Sequence, residues 1–124
     1  IANQSETYDE WNFAEIERVF WENVGEDKDR CRMLRFTSIE AAAMIDSADL
    51  VFIDAGHAYP NALQDIGLWW PQVREGGFLT GHDYQHKFPG VMRAVARAFP
   101  LLRVGVFPDS VWAVVKDQTL ELVA

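Results

Sequence analysis

Apolar residues along this chain change their spacing several times, and each change marks an element. From Tyr8 to Val24, Trp11, Phe13, Ile16, Val19, Phe20 and Val24 recur at helical spacing, which predicts a helix that Gly25 ends. "GEDKDR" then reads as a solvated turn. "CRMLRF" (31–36) alternates and predicts a strand. Thr37 or Ser38 suits the N-cap of a short helix over 37–45. "DLVFID" (49–54) is apolar without alternation, the pattern of a central parallel strand covered on both faces. Pro60 opens a helix over 60–73, and Pro71 should end or kink it. Gly76-Gly77 predicts a turn before a second inner strand, "FLTGHDY" (78–84). "PGVMRAVARAF" (89–99) predicts a helix with Val91, Val95, Ala98 and Phe99 on one face. "LRVGVF" and "SVWAVVK" predict a hairpin through Pro108-Asp109. Residues 1–7 are polar, and "TLELV" near the end is either a last strand or a tail.

Strand, helix, strand, helix and an antiparallel pair give a single α/β domain over 1–124, with helices on both faces of the sheet. In such sheets ligands sit beyond the carboxyl ends of the parallel strands. Both polar bursts of the chain, Asp54–His57 and His82–Tyr84, fall at such ends.

Composition narrows the partners. With 124 residues and a net charge of −8, the chain is sized for one domain and ill suited to a nucleic-acid backbone or an anionic membrane. The single cysteine, Cys31, cannot form an internal disulfide and is expected to be a partly buried, inert thiol in a cytoplasmic setting. No apolar run approaches the roughly 20 residues that span a bilayer.

The side chains at the strand ends offer chemistry on their own terms. Asp54, His82 and Asp83 belong to strands that should be neighbours about 4.8 Å apart, so their tips can converge. Against this stands a plainer role, in which Asp54 caps the next segment and His82 donates a hydrogen bond within the cleft. His57 is suited to general-base work near neutrality, or to packing at its turn against a carbonyl or carboxylate. Asp65 is placed to orient His57 or merely to solvate its helix. Trp69, Trp70 and Trp112 read as core residues, and Tyr84 as a candidate for the substrate side. A small metal-dependent hydrolase built on Asp54, His57, His82 and Asp83 is a further reading.

Taken together, "DLVFIDAGHAYPNALQDIGLWWPQVREGGFLTGHDY", "PGVMRAVARAF" and "VWAVVK" resemble the class I S-adenosylmethionine-dependent methyltransferases, in the branch carrying ID-x-x-H, GG and HDY motifs. The resemblance covers residues 48–116 well. Over 8–47 it is weaker, with "RMLRFTSIEAA" similar to the family's third strand and the loop after it. It implies a three-layer, Rossmann-like, mostly parallel sheet with a C-terminal antiparallel hairpin. It implies methyl transfer from S-adenosylmethionine to a small hydroxyl substrate, with His57, His82 and Asp54 assisting deprotonation. Thr37 and Ser38 would lie near the adenine ring, although an N-cap is their plainer role, and Asp54 would be among the cofactor-binding positions. By the same resemblance Asp54, His82 and Asp83 would hold a divalent ion, with manganese, iron or zinc favoured over magnesium because one ligand is an imidazole.

No match to the family's opening strand and glycine-rich loop is present in residues 1–30. The expectation is therefore a chain carrying the later two-thirds of the fold. Strand 49–54 would then show a bare apolar edge, to be covered by upstream residues, by strand 31–36 or by a second copy of the chain. A homo-oligomer or an altered strand order follows. A truncated, non-catalytic binding or oligomerisation module is the alternative to the enzyme.

Overall fold

The computed structural model describes residues 12–117, and the chain divides into two compact units, 1–35 and 36–124. In the first unit, helix α1 runs from Phe13 to Val24. Asn12 caps it by accepting from the Glu15 backbone N–H, and Gly25 ends it at φ 58°, which glycine adopts without strain. Arg18 pairs with Glu15 and Glu22 along its exposed side. Phe13, Ile16, Val19 and Phe20 are exposed despite their helical spacing. A 3₁₀ turn, Gly25–Arg30, follows. The strand expected over 31–36 is not formed. Its alternation is real, but among the described residues no hydrogen-bonded neighbour accompanies it, and Arg35 reaches instead to Glu17. Cys31 is exposed rather than partly buried. Residues 1–7 and "TLELV" lie outside the described residues.

The second unit opens with a short helix, α2 (Ser38–Met44). Thr37 and Glu40 form a reciprocal capping box at its start, satisfying two orphan donors at once. Strand β1 (Ala48–Ile53), helix α3 (Tyr59–Trp69), strand β2 (Val73–Gly81) and helix α4 (Pro89–Ala98) come next. Strands β3 (Gly105–Phe107) and β4 (Val111–Val115) close the order around a 3₁₀ turn at Pro108–Ser110, the expected hairpin. Pro71 lies in a second 3₁₀ turn just after α3, as its missing N–H and ring clash require.

The sheet order is β1-β2-β4-β3. β1 and β2 are parallel, with Leu50 opposite Phe78 and Ile53 opposite Gly81. β2–β4 and β4–β3 are both antiparallel. The mostly parallel expectation is therefore too broad for the described strands: the parallel pairing is confined to the site-bearing strands, because the hairpin inserts β4 directly beside β2. Strand β2 also starts earlier than expected and ends sooner. It runs through Gly76-Gly77, where the register slips between Ala48 and Leu50, and it stops at Gly81 instead of Tyr84. Gly76, at φ 80°, lets the chain bulge there and donates to the Lys116 carbonyl at 2.6 Å.

The core of this unit lies between one face of the sheet and helices α3 and α4. Leu79 and Val114 face Ile66, Val91, Ala94 and Val95, with Trp112 closing one end. Full burial of a residue such as Leu79, 0% exposed, stabilises by about 2 kcal/mol. On the opposite face Leu50, Phe52 and Phe78 are exposed, and among the described residues β1 is hydrogen-bonded on one side alone.

Candidate functional site

The parallel pairing sets the site. The His82 backbone N–H donates to the Ile53 carbonyl at 3.0 Å, the last rung of the β1–β2 seam. Beyond that rung the chain leaves both strands together, so Asp54 and the His82-Asp83 pair emerge side by side. One ligand atom from each of these three residues lies within 4.8 Å of the others. The convergence expected from two neighbouring strands is present.

Asp83 joins these groups. It is almost buried, and its φ of 65° turns the chain sharply so that the side chain points back across the strand ends. Its Oδ1 is 3.0 Å from His82 Nδ1, and its Oδ2 is 3.2 Å from His57 Nε2. The carboxylate that His57 meets is thus Asp83 and not Asp65, which is buried on α3. Asp54 stands further off, with Oδ1 3.8 Å from His82 Nδ1, and its side chain is 58% exposed. It does not cap α3, whose N-cap is Ala58.

His57 is held from a second side. Its ring stacks on Phe88 with centroids 4.0 Å apart and planes 24° from parallel. Phe88 directly precedes Pro89, the first residue of α4, so the start of that helix fixes the aromatic plane. Gly90 follows in the same turn and packs on the His57 backbone. Neither Phe88 nor Gly90 stands out in the sequence. The available signal was an aromatic residue immediately before a Pro-Gly helix start. Tyr84 is half-buried, and its backbone N–H donates to the Ser110 carbonyl at 3.0 Å, tying the site loop to the hairpin turn.

Thr37 and Ser38 lie away from this cluster along the chain. The Thr37 hydroxyl is engaged with Glu40 in the capping box, its expected plainer role. The bonds from the Thr37 hydroxyl, and then from its backbone N–H, hold the Glu40 carboxyl below its ordinary value of 4.5. Ser38 faces a hollow of about 410 Å³ beside β1, lined also by Leu50, Phe52, Asp54, Asp65 and Trp69. This hollow offers a ligand room, a hydroxyl and an exposed carboxylate. Among the described residues no glycine-rich turn following a strand lines it.

A metal fits these residues less well than the resemblance implies. His82 Nδ1 and Asp83 Oδ1 stand at hydrogen-bond distance, and the other Asp83 oxygen faces His57. The arrangement is that of a close-set histidine–carboxylate cluster.

Known proteins agree with the fold and name the family. Residues 4–84 match a family model described as a methyltransferase domain. An uncharacterised protein of Acanthamoeba polyphaga mimivirus is 33% identical over 61 residues, which are 48% of this chain and 28% of that protein. A crystal structure of a Corynebacterium glutamicum protein shares the fold with a TM-score of 0.61 over 81% of this chain and 54% of its own, at 18% identity. The chain thus spans about half the length of that structure and less of the viral relative. None of the helices in the described residues is long and apolar enough to cross a membrane. With its family model matched over 4–84, the chain belongs to the class I S-adenosylmethionine-dependent methyltransferase family.

Proposed function

We propose that this chain is the acceptor-side part of an S-adenosylmethionine-dependent O-methyltransferase that acts on a small hydroxyl compound in the cytoplasm. The observation that carries this reading is the meeting of Asp54, His57, His82 and Asp83 at the carboxyl ends of two parallel strands. When bound, S-adenosylmethionine supplies an electrophilic methyl group. The residues of this chain orient the hydroxyl and remove its proton. A neutral imidazole suits that step near neutral pH, and a positioned base contributes about 10²- to 10⁴-fold to a rate. His57 and His82 are the bases in reach, and Asp54, facing the hollow beside β1, accepts a hydrogen bond from the incoming ligand.

Calorimetric titration with S-adenosylhomocysteine tests the reading. Saturable heat, weakened in Asp54→Ala, supports it. No heat at millimolar ligand removes cofactor binding from this chain. The second reading then stands, a methyltransferase-fold module for binding or self-association. The exposed Leu50 and Phe52 on the open face of β1, which among the described residues pairs on one side alone, favour it. Such a module would be a homo-oligomer by light scattering.

A further inference from the structure

Residues 84–108 hold Lys87, Arg93, Arg97 and Arg103 and no acidic residue, although the chain carries 19 acidic residues and a net charge of −8. Two of these cations stand beside the His57 turn. The Lys87 ammonium is 5.6 Å from the centroid of the Phe88 ring, and that same ring stacks on His57 at 4.0 Å. The Arg93 guanidinium carbon is 4.4 Å from the centroid of Tyr59, two residues after His57. Gly90 comes three residues before Arg93, on the same side of α4, and it is where that helix meets the His57–Tyr59 backbone. Lys87 and Arg93 are both exposed. Each rests on an aromatic ring, and among the described residues neither has a carboxylate partner. Neither α3 nor α4 has an acidic residue in its first turn.

We propose that Lys87 and Arg93 bind an anionic group, a carboxylate or a phosphate, that the acceptor carries away from its reacting hydroxyl. This rests on the methyl-transfer reading and adds the acceptor's chemical class to it. Cations gathered without counter-charge raise the local potential for an anion even on an acidic chain. The Arg93 fork, laid over Tyr59, is pre-organised for a carboxylate or phosphate, so little freedom is lost on binding. The charges around His57 also set the orientation. The Asp83 carboxylate faces the edge of that imidazole at 3.2 Å, and Asp54 lies further along the same cluster. Both carboxylates repel an anion. The hydroxyl end of the acceptor therefore meets the histidine–carboxylate cluster, and the anionic end meets the α4 side.

The test is a binding titration of the 124-residue chain, followed at the backbone amides of Tyr59 and Gly90 in ¹H–¹⁵N spectra. The probes are para-hydroxybenzoate, para-hydroxyphenyl phosphate and the neutral para-hydroxybenzamide. At least one anion is expected to bind about fivefold or more tighter than the amide, and the tighter anion names the group. That preference should vanish in Lys87→Gln/Arg93→Gln. It should persist in Arg97→Gln, which removes the same charge one turn further along α4. In the unsubstituted chain it should also shrink between about 0.1 M and about 1 M salt, as the screening length falls from about 10 Å to about 3 Å. That arm decides if the double variant does not fold. An amide that binds as tightly as both anions overturns the proposal. So does a preference that survives the double substitution or high salt, an equal loss in Arg97→Gln, or the lack of a saturable shift with either anion. No methyl donor is present, so a failure of methyl transfer and a failure of this proposal are separate results.

Discussion

The first turn of α4 presses Gly90 onto the backbone of His57. A methyl group at Gly90 would lie 2.6 Å from the His57 carbonyl oxygen and 2.7 Å from the Tyr59 nitrogen. No real side chain tolerates either distance, so the helix can approach the site-bearing turn this closely only at a glycine. Gly90→Ala gains up to about 1 kcal/mol of helix propensity. It loses about 1–3 kcal/mol to overpacking against rigid backbone. The expected net result is a lower melting temperature, by about 5 °C if about 1 kcal/mol is lost. A rise in melting temperature would show that α4 does not bear on His57 as described.

The capping box at α2 gives a prediction with a pH sign. Thr37→Ala should cost about 1 kcal/mol near neutral pH. The Glu40 carboxyl is held below 4.5 in the folded chain, first by the Thr37 hydroxyl and then by its backbone N–H. A depressed carboxyl stabilises the fold above its ordinary value, and that contribution is lost as pH falls through the lower folded value. The difference in melting temperature between the unsubstituted chain and Glu40→Gln should therefore be present at neutral pH and shrink in acid. A difference that grows in acid would contradict the assignment.

Neighbouring residues of β2 should respond unequally. Leu79 is fully buried, and its truncation to Ala should cost about 3 kcal/mol, since the cavity it leaves adds to the lost transfer energy. Phe78, the larger residue, points to the open face and is 42% exposed. Its truncation should cost less than half as much in urea unfolding. Equal losses would mean that the second face is as well covered as the first.

Much of this architecture was legible because local chemistry and tertiary packing agree. "DLVFI" has the unbroken apolar run of an inner parallel strand, and Pro60, Pro71, Pro89 and Pro108 mark boundaries that the fold respects. The meeting of Asp54 with His82 and Asp83 followed from parallel neighbours alone. Elsewhere local pattern was insufficient. "CRMLRF" alternates as a strand does, but a strand is made by its partner, and none pairs with it among the described residues. Gly76-Gly77 has turn chemistry, yet it serves as a bulge because the ladder to β1 resumes beyond it. The partner of His57 stayed open, with Asp65 as one candidate, because spacing along a helix cannot reveal that Asp83 takes a left-handed φ and swings its carboxylate across the seam. Nor does any motif announce the Phe88 stack, which depends on where α4 begins.

Among the described residues β1 pairs on one side alone, and its other side can be tested with charge. Leu50 is 57% exposed and Phe52 49%, so lysine at either position should change the melting temperature little. A charged edge should, however, oppose strand-to-strand association. Light scattering is expected to give a mass above one chain for the unsubstituted protein and one chain for Leu50→Lys/Phe52→Lys. A monomer before substitution would remove self-association from the account.

The central claim, that the tips of β1 and β2 form a proton-accepting site for methyl transfer, is tested most directly by a transfer assay. Methyl-labelled S-adenosylmethionine is offered with a panel of small hydroxyl compounds to the unsubstituted chain, His57→Ala and His82→Ala. The expected result is labelled ether product from the unsubstituted chain. At least one histidine variant should lose about 10²-fold or more in kcat with KM little changed. Product formed at the same rate by all three proteins, or by none of them, would contradict the claim.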